Sequence, residues 1–557
     1  MLSGFNPEQI NDIEGARRAL REILNLVEEL KQGNQALREE VQRLRDENNR
    51  LKGEQGKPEI KGNKGDEKRA AYASEKARRE PKVRQKGTKN EWIKIDRTEK
   101  VCVNRAELPG DAEFKGYEPV VVQDIEIKTA NVRFEKEKYY SPSQQKSYLA
   151  ALPVGYEGAY GPGVRAMVLN LYYACGMTEP KIEELLGNLG IRISAGQVSN
   201  LLVKEKEPWH EEKAAVVAAG LASTSWHHID DTATRVNGEN QHCHILCNPF
   251  YSAYFTEPNK DRLTVIRVLQ GGGELSYLFQ AETVAWLDVF KIPLAAQRQI
   301  ALWPQGIPLT AHQLDAFLAR DLAHLNQQQQ ARIREAAALT AYHQPREWPL
   351  VEQLISDDAP QFQQVTAEQA LCWVHEGRHY QKLSPFVEYH QQRLSHFLTD
   401  FWDFYHKLQR YRESPDNAQA LRLGQEFDTL FATVTGYDEL DKRIAKSMAR
   451  KDKLLLVLRH PALPLHNNPA ELAARQRVRK RDISFGPRTQ DGVKAWDTFM
   501  TLSETAKKLG VNFYRYLHDR VSGARHFPSL ASLIPPRTLG QLPAHVSALP
   551  QLSTPLY

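Results

Sequence analysis

Apolar residues recur at heptad spacing between residues 11 and 52. One seam position holds Ile13, Leu20, Val27, Asn34, Val41 and Asn48, and the other holds Ala16, Ile23, Leu30, Leu37, Leu44 and Leu51. β-Branched residues opposite leucine favour a parallel two-stranded coiled coil, and asparagine within a seam fixes its register. The pattern therefore predicts a homodimer through residues 13–51. One amphipathic helix packed on its own chain is the alternative, and Gly15 and Gly33 weaken the zipper.

Residues 53–95 are polar and charged, with few apolar positions. A segment that can bury so little apolar surface is predicted to be a linker. Its cations are candidates for contacts with phosphate groups, and a solvated tether is the alternative. These cations are Lys82, Arg84, Lys86 and Lys89.

Residues 100–155 are rich in β-branched and aromatic residues, which predicts a small β domain. The best strand candidates are residues 120–127 and 132–135. Cys102 is the single cysteine of this segment, so we expect no zinc site in it.

Helical periodicity begins after residue 160. Residues 163–175 and 181–186 are apolar at helical spacing, and Ser194 can cap a further helix over 195–204. Two short helices around a glycine-containing turn predict a helix-turn-helix, with a plain helical hairpin as the alternative. Exposed positions on the second helix could meet base edges and phosphates. These positions are Gln197, Asn200 and Lys204.

The segment 223–256 has strand character. It predicts three antiparallel strands, the first of which passes through Asp230. Asn237-Gly238 is a strong signal for a two-residue hairpin between the first two strands. A helix at 261–269 is predicted to follow.

The second half of the chain is predicted to be mainly helical, except for a short buried strand at 354–357 that ends in carboxylates. Helices are expected across 273–348, from residue 372 onward and across 386–458. An aromatic stripe in the last of these is more typical of a core than of a binding platform. The stripe consists of Phe397, Phe401, Trp402, Phe404 and Tyr405.

A sharp helix start is predicted near residue 468. Asn468 can cap the helix and Pro469 suits its first position. Glu471 then falls in the first turn and shares a face with Arg475. A capping box on a basic surface helix is the simplest interpretation. The cations that follow are candidates for DNA contacts, namely Arg475, Arg477, Arg479, Lys480 and Arg481.

Composition narrows the class of protein. A chain of 557 residues needs several domains, and 41% hydrophobic with 26% charged residues is ordinary for a soluble globular protein. The net charge is only +5, but the excess of basic residues is concentrated near 57–100 and 475–488, which allows a polyanionic partner. Five cysteines cannot form a disulfide scaffold, so a reducing cytoplasm is expected. Neither a signal peptide nor an apolar run of about 18 residues is evident, so a membrane role is not expected.

Three antiparallel strands, a helix, a fourth strand and a late helix form the skeleton of a ribonuclease H-like fold. Acidic residues on the first strand, the fourth strand and the last helix meet in such a fold. Magnesium prefers hard oxygen ligands, and two ions about 4 Å apart can stabilise both oxygens of an in-line phosphoryl displacement. The sequence therefore predicts metal-dependent chemistry on phosphodiesters.

Four sequence blocks resemble the insertion sequence 66 family of bacterial DDE transposases. Residues 228–232 resemble its "ADDTP" block, 372–375 its "CWAH" block and 467–471 its "NNPAE" block, and 503–511 are similar to the segment that follows. The order of the blocks also agrees, and the resemblance covers roughly residues 155–525.

The resemblance implies that Asp230, Asp357 and Glu471 hold Mg²⁺ or Mn²⁺. The leading Asp of the first block is the ligand, hence Asp230 rather than Asp231. The family has Asp-Gly in the second block where this chain has Asp357-Asp358, so Asp358 stays open as the rival. The family also has an amino-terminal zipper, a small zinc domain and helix-turn-helix helices, but the zinc ligands are missing here.

The expected fold is therefore an α+β multidomain protein, whose ribonuclease H-like core carries helical insertions and follows a coiled coil, a small β domain and a helix-turn-helix. The expected parts are a coiled coil (1–55), a basic linker (56–100), the β domain (101–155), the helix-turn-helix region (156–215), the core (216–272, 349–385 and 463–525), two helical insertions (273–348 and 386–462) and an extended tail (526–557).

The expected function is DNA transposition, by cutting the ends of a mobile element and joining them to target DNA. The partners would be double-stranded DNA and a second copy of the chain, in the cytoplasm at the bacterial nucleoid. A sequence-specific DNA-binding protein with an unused nuclease core is the alternative, and a nuclease without strand transfer is a third possibility.

A structural zinc site is not expected, although the spacing Cys372-x-x-His375 is that of a half-site. Cys243 and Cys247 lie four apart on a predicted strand and so share a face. Buried cysteine in a core is the commoner situation.

Overall fold

The computed structural model of the protein describes residues 12–51, 93–109, 111–125, 127–344 and 350–536. Arg84 and Lys86 in the linker, and the tail beyond residue 536, lie outside the described residues. None of the helices in the described ranges combines the length and the apolar character that crossing a bilayer requires.

The described chain is a mixed α+β structure. Its strands are β1 (Lys138–Ser141), β2 (Lys146–Leu149), β3 (Trp226–Val236), β4 (Glu239–Cys247), β5 (Ser252–Glu257), β6 (Gln353–Ser356) and β7 (Glu368–Leu371). The helices before the second half of the sheet are α1 (Ile13–Leu51), α2 (Pro162–Leu169), α3 (Glu179–Asn188), α4 (Ala195–Val203), α5 (Glu207–Ser223), α6 (Arg262–Leu269), α7 (Ala281–Val289), α8 (Leu294–Ile300), α9 (Ala311–Asp321) and α10 (Gln327–Tyr342). The later helices are α11 (Trp373–Gln381), α12 (Glu388–Glu413), α13 (Asn417–Phe431), α14 (Asp438–Met448), α15 (Lys451–Leu454), α16 (Asn468–Ser484), α17 (Gln490–Lys508), α18 (Phe513–Val521) and α19 (Leu530–Leu533).

A five-stranded mixed sheet with the order β5-β4-β3-β6-β7 lies at the centre. Strands β3, β4 and β5 are antiparallel neighbours, whereas β6 pairs parallel to β3 and β7 parallel to β6. The three predicted antiparallel strands are confirmed. Asn237 and Gly238 both have positive φ, 49° and 86°, as a two-residue turn requires to match the twist of its strands.

Helices cover both faces of the sheet. Side chains alternate along β4, so Cys243 and Cys247 face one way and pack with Ala470 and Ala473 of α16. Leu246 faces the other way, into the main core that α5, α6 and α17 help to form. Burial on both faces explains why β4 ends in an unbroken apolar run rather than an alternating pattern.

Two further groups of helices pack beside this core. Helices α7 to α10 continue the main core through residues such as Leu287 and Ile333. Helices α12 to α14 enclose a second core around Trp373, whose ring packs against Phe401 and Phe404. The interpretation of the aromatic stripe as core is confirmed, since Phe401 and Phe404 are at most 3% exposed.

The predicted strands at 120–127 and 132–135 are wrong. Within the described part of 101–155, only β1 and β2 pair, as an antiparallel hairpin. Val120 and Val122 are 80% and 82% exposed. β-Propensity measures the fit of a side chain to a pleated, half-buried surface, and these residues have neither a partner strand nor a face to cover.

Helix α1 packs on its own chain through its first half. Glu28 is buried and accepts hydrogen bonds from the backbone amides of Phe386 and Val387, at 2.7 and 2.9 Å. Asn25 donates to the Gly436 carbonyl at 3.2 Å. The first half of α1 therefore matches the alternative of one amphipathic helix packed on its own chain. Further along the seam, Leu37 remains 65% exposed. Dimerisation stays a prediction.

Candidate active site

The register of two parallel strands brings the first two predicted carboxylates side by side. His228 of β3 pairs with Ile355 of β6. Asp230 and Asp357 each lie two residues further on, so they share a level and a face. Adjacent strands are about 4.8 Å apart, which makes these carboxylates immediate neighbours.

Asn467 fixes the start of α16 over β3. Its side-chain nitrogen donates to the Ile229 carbonyl at 2.7 Å, and its oxygen lies 3.1 Å from His228 Nδ1. The sequence prediction that Asn468 caps this helix is wrong by one residue. Asn467 occupies the cap position without capping with its side chain, since that side chain is bonded to β3. Glu471 still falls in the first turn.

Small side chains bring α16 close to the sheet. Ala470 and Ala473 pack directly against Cys243 and Cys247 of β4. The methyl groups leave room for a close approach of helix and strand, and Glu471, next to Ala470, is thereby held beside the two aspartates. The structure brings the three carboxylates together, close enough for Asp357 and Glu471 to act on Asp230.

Burial and two neighbouring charges act on Asp230. Burial raises the pKa of Asp230 to about 8, and the negative charges of Asp357 and Glu471 contribute to the same shift. Its Oδ1 accepts a hydrogen bond from the Asp231 amide at 2.9 Å, which opposes the shift only in part. Mutual repulsion of three carboxylates is what a divalent cation relieves, so this donor set suits a hard cation such as Mg²⁺.

The structure separates Asp357 from its rival Asp358. Asp358 forms an ion pair with Arg450 at 2.7 Å and lies 3.4 Å from His379 Nε2. A hydrogen bond from His379 and the charge of Arg450 hold the pKa of Asp358 well below its usual range. Asp357 instead bonds to the Ala359 amide at 3.0 Å and acts on Asp230.

Arg378, which sequence reasoning did not single out for this role, is the cation that contacts Glu471. Its guanidinium donates to Glu471 Oε2 at 2.9 Å and to His375 Nε2 at 3.2 Å. Arg475 shares a helix face with Glu471, as expected, but it is half-buried and forms no ion pair with Glu471 among the described residues. A role of Arg475 toward the phosphate stays a prediction. The spacing of His375, Arg378 and His379 along one helix face was the available signal.

Two of the predicted DNA contacts on α16 are wrong because the residues are buried. Arg477 is 0% exposed, donates to Thr256 at 2.8 Å and lies 3.4 Å from Asp497. Lys480 sits 3.4 Å from the centre of the Tyr172 ring, and burial lowers its pKa to about 7. Arg477 thus ties α16 to β5 and α17, and Lys480 ties it to the segment that contains Tyr172.

The remaining predicted DNA contacts stay predictions. Arg479 is exposed, while Arg475 and Arg481 are half-buried, and Arg481 donates to the Ala233 carbonyl. Gln197 on α4 and Lys204 directly after it are exposed, and Asn200 donates to Gln197 at 3.1 Å. The helices of the predicted helix-turn-helix are present as α3 and α4, and Ser194 caps α4 as expected.

The buried cysteines of the described residues lie in two different places. Cys243 and Cys247 are buried among apolar residues such as Tyr254 and Met500. Cys372 instead precedes α11 and lies near His375 and Glu471.

The protein is thus an α+β protein with helices on both faces of a mixed sheet. Three carboxylates meet where α16 crosses the central strands β3 and β6, and they form a candidate phosphodiester site. The model of the family described as Transposase IS66 family matches residues 351–495. This match contains Asp357 and Glu471, while Asp230 precedes it. A curated relative, Uncharacterized protein y4jO of Sinorhizobium fredii (strain NBRC 101917 / NGR234), is 31% identical over 305 residues, which cover 54% of this chain and 94% of the relative. The chain belongs to the IS66 transposase family.

Proposed function

We propose that this protein is a DDE transposase that cuts the ends of a mobile element and joins the freed 3′-hydroxyl groups to target DNA. Family membership supports transposition as the activity class. The observation that carries the finer proposal is the convergence of Asp230, Asp357 and Glu471, whose charges act on one another across three separate elements.

The catalytic core is proposed to be ribonuclease H-like. The strand order β5-β4-β3-β6-β7, with three antiparallel strands followed by two parallel ones, supports this proposal. Segments 216–272, 349–385 and 463–525 would form the core, and 273–348 and 386–462 would be insertions. Helix α16, which carries Glu471, returns to the sheet after the second proposed insertion.

Asp230, Asp357 and Glu471 would hold Mg²⁺ or Mn²⁺. All three offer carboxylate oxygens, the ligands that such hard cations prefer. Bound there, divalent ions supply a lowered pKa for the attacking water or hydroxyl and neutralise charge on the phosphate in transfer.

The surrounding side chains keep the three carboxylates available. Arg378 holds Glu471 through one oxygen only and leaves the other oxygen, Oε1, without a hydrogen bond among the described residues. Arg450 and His379 bind Asp358 and hold it away from the triad. Exposed cations such as Arg479 are proposed to contact the DNA backbone.

The test is incubation of the protein with Mg²⁺ and DNA that carries the element's own ends, followed by sequencing of the products. Asp230→Asn, Asp357→Asn and Glu471→Gln should each abolish cleavage and leave DNA binding largely intact. Asp482→Asn, an exposed change on the same helix, should retain activity. Asp358→Asn should retain more activity than Asp357→Asn, because Asp358 is bonded elsewhere.

Products with joined ends would support transposition, and cut but unjoined ends would indicate a nuclease. Specific binding to the ends without any cleavage by the unaltered protein would contradict the enzyme and favour the alternative of a DNA-binding protein.

A further inference from the structure

Three side chains of different metal-ligand types meet at the start of α11. One ligand atom from each of Cys372, His375 and Glu471 lies within 4.8 Å of the other two. Cys372 immediately precedes the helix and His375 lies in its first turn. Glu471 reaches them from α16. The cluster therefore joins two elements beside the carboxylate triad.

Two atoms of this cluster are buried without a hydrogen bond. His375 Nδ1 and Glu471 Oε1 lie 3.5 Å apart, and neither has a hydrogen-bond partner among the described residues. A buried polar atom without a partner costs free energy. Glu471 Oε1 offers a lone pair as it stands, and His375 Nδ1 offers one once its proton moves to Nε2, so a cation between them would satisfy both atoms.

The third atom of the cluster is the sulfur of Cys372, which is buried beside a backbone amide donor. Cys372 is 1% exposed, and its Sγ accepts a hydrogen bond from the Asn467 amide at 3.1 Å. Amide donors of this kind stabilise a metal-bound thiolate. Ligand bonds to zinc of about 2.0–2.3 Å place tetrahedral ligand atoms about 3.5 Å apart. The separation of His375 Nδ1 and Glu471 Oε1 already has that value.

We propose that Cys372, His375 and Glu471 form a second metal site that takes Zn²⁺ or another thiophilic divalent cation, in addition to the proposed Mg²⁺ site. Thiolate and imidazole select such cations over Mg²⁺, which prefers oxygen. Because Glu471 belongs to both sites, occupation of this one removes a ligand from the triad. Zn²⁺ is therefore an inhibitor of the Mg²⁺-dependent reaction, a consequence that rests on the proposed function.

Binding has a defined proton balance. The Cys372 thiol gives up its proton to solvent. His375 accepts at Nε2 from Arg378, so its proton is assigned to Nδ1 and must transfer to Nε2 to free the lone pair. The net result is the release of one proton per metal ion. The thiolate and the Glu471 carboxylate together neutralise the charge of the cation.

Arg378 opposes this binding. Its guanidinium contacts both His375 Nε2 and Glu471 Oε2, so it adds positive charge beside the site and must turn away when Nε2 becomes a donor. Replacing it with an uncharged side chain should raise the affinity for Zn²⁺ on the order of tenfold. If Cys372 were only a packing residue, replacing Arg378 would not change the affinity for Zn²⁺.

Co²⁺ is a spectroscopic probe for the site, because thiolate ligation gives it an intense charge-transfer absorption. The full-length protein titrated with Co²⁺ should show this absorption with one ion per chain, and Zn²⁺ should abolish it. Cys372→Ser should remove the band, whereas Cys175→Ser, at an exposed cysteine, should not. Arg378→Gln should reach the same band at lower Co²⁺ concentration.

His375→Ala provides a second variant in case Cys372→Ser fails to fold, since His375 is only partly buried. Its Co²⁺ affinity should fall at least tenfold. No band with the unaltered protein, or a band that persists in Cys372→Ser, would overturn the site.

Activity gives a separate readout. Micromolar Zn²⁺ should inhibit Mg²⁺-dependent cleavage by the unaltered protein. The same Zn²⁺ concentration should not inhibit the Mg²⁺-dependent cleavage that Cys372→Ser retains. A band without any Mg²⁺-dependent cleavage would contradict the proposed function and leave the metal site standing. A band with cleavage that Zn²⁺ does not affect would overturn the inhibitory role.

Discussion

At the scale of single residues, burial decides what each charge does. Asp230 is charged only at the cost of desolvation and repulsion from two carboxylates. Arg477 carries its charge in the interior because Thr256, Asp497 and the Trp496 ring surround it. One-dimensional patterns cannot separate these cases, since both residues look like ordinary charges on amphipathic elements.

Asp230 should make the metal-free protein lose stability as pH rises. The pKa of Asp230 is raised to about 8 on folding from an ordinary value of 3.8. Folding therefore favours the protonated form, so its contribution is present below about pH 4 and is lost as pH rises through about 8. Within this window the slope reaches about 1.4 kcal/mol per pH unit.

Urea unfolding in the presence of a chelator measures this dependence. Asp230→Asn cannot ionise, so its stability should change less between pH 5 and 8 than that of the unaltered protein. Asp482→Asn, which changes an exposed carboxylate, is the matched control and should leave the dependence intact. Equal slopes for Asp230→Asn and the unaltered protein would contradict the assignment.

Arg477 and Arg479 should respond oppositely to replacement by alanine. Arg477→Ala leaves Asp497 buried without its partner, which should cost about 3–5 kcal/mol of unfolding free energy. Arg479 is exposed, so Arg479→Ala should leave stability within about 0.5 kcal/mol and weaken binding to all DNA sequences. Denaturant unfolding and salt-dependent DNA binding separate the two effects, and equal stability of both variants would contradict this distinction.

At the scale of elements, the sequence predicted those with strong local signals. β3 and β4 were identified because Asn237-Gly238 marks their turn, and α16 because Pro469 and Glu471 mark its start. β7 was missed because four residues are too few to show a period. The ion pair between Arg378 and Glu471 joins residues 93 positions apart, and nothing local in either segment specifies it.

Helix α4 is the element predicted to read DNA sequence. Gln197→Ala with Asn200→Ala should lower the preference for the element's ends over unrelated DNA, because amide side chains pair with base edges. Lys204→Ala should weaken all DNA alike and lower the salt dependence by about one phosphate contact. Competition binding at several salt concentrations distinguishes these outcomes. Unchanged preference in the double variant would exclude both side chains as readers.

At the scale of the whole molecule, the two halves of α1 differ: the first half contacts the rest of its own chain, and the second half exposes an apolar seam. Glu28 fixes its first half by accepting from the backbone amides of the two residues just before α12, and Asn25 bonds to the loop before α14. The second half continues the heptad seam with Leu37 and Leu44 more than half exposed. Helix α1 is therefore anchored to its own chain by its first half and exposes an apolar seam along its second half. Such a helix can pair with α1 of a second copy while each copy keeps the contacts of Glu28 and Asn25.

The exposed seam should therefore be the dimer interface. Replacing Leu30, Leu37 and Leu44 with lysine would bury unpaired charge in the paired helices and should convert the dimer to a monomer. The same changes at Gln35, Glu39 and Gln42, which lie off the seam, should leave the dimer intact. Light scattering measures the mass of both variants, and circular dichroism checks that α1 remains helical. If the seam variant kept the mass of the unaltered dimer, another surface would have to hold the two copies together, and the intrachain contacts of Glu28 and Asn25 would be the whole role of α1.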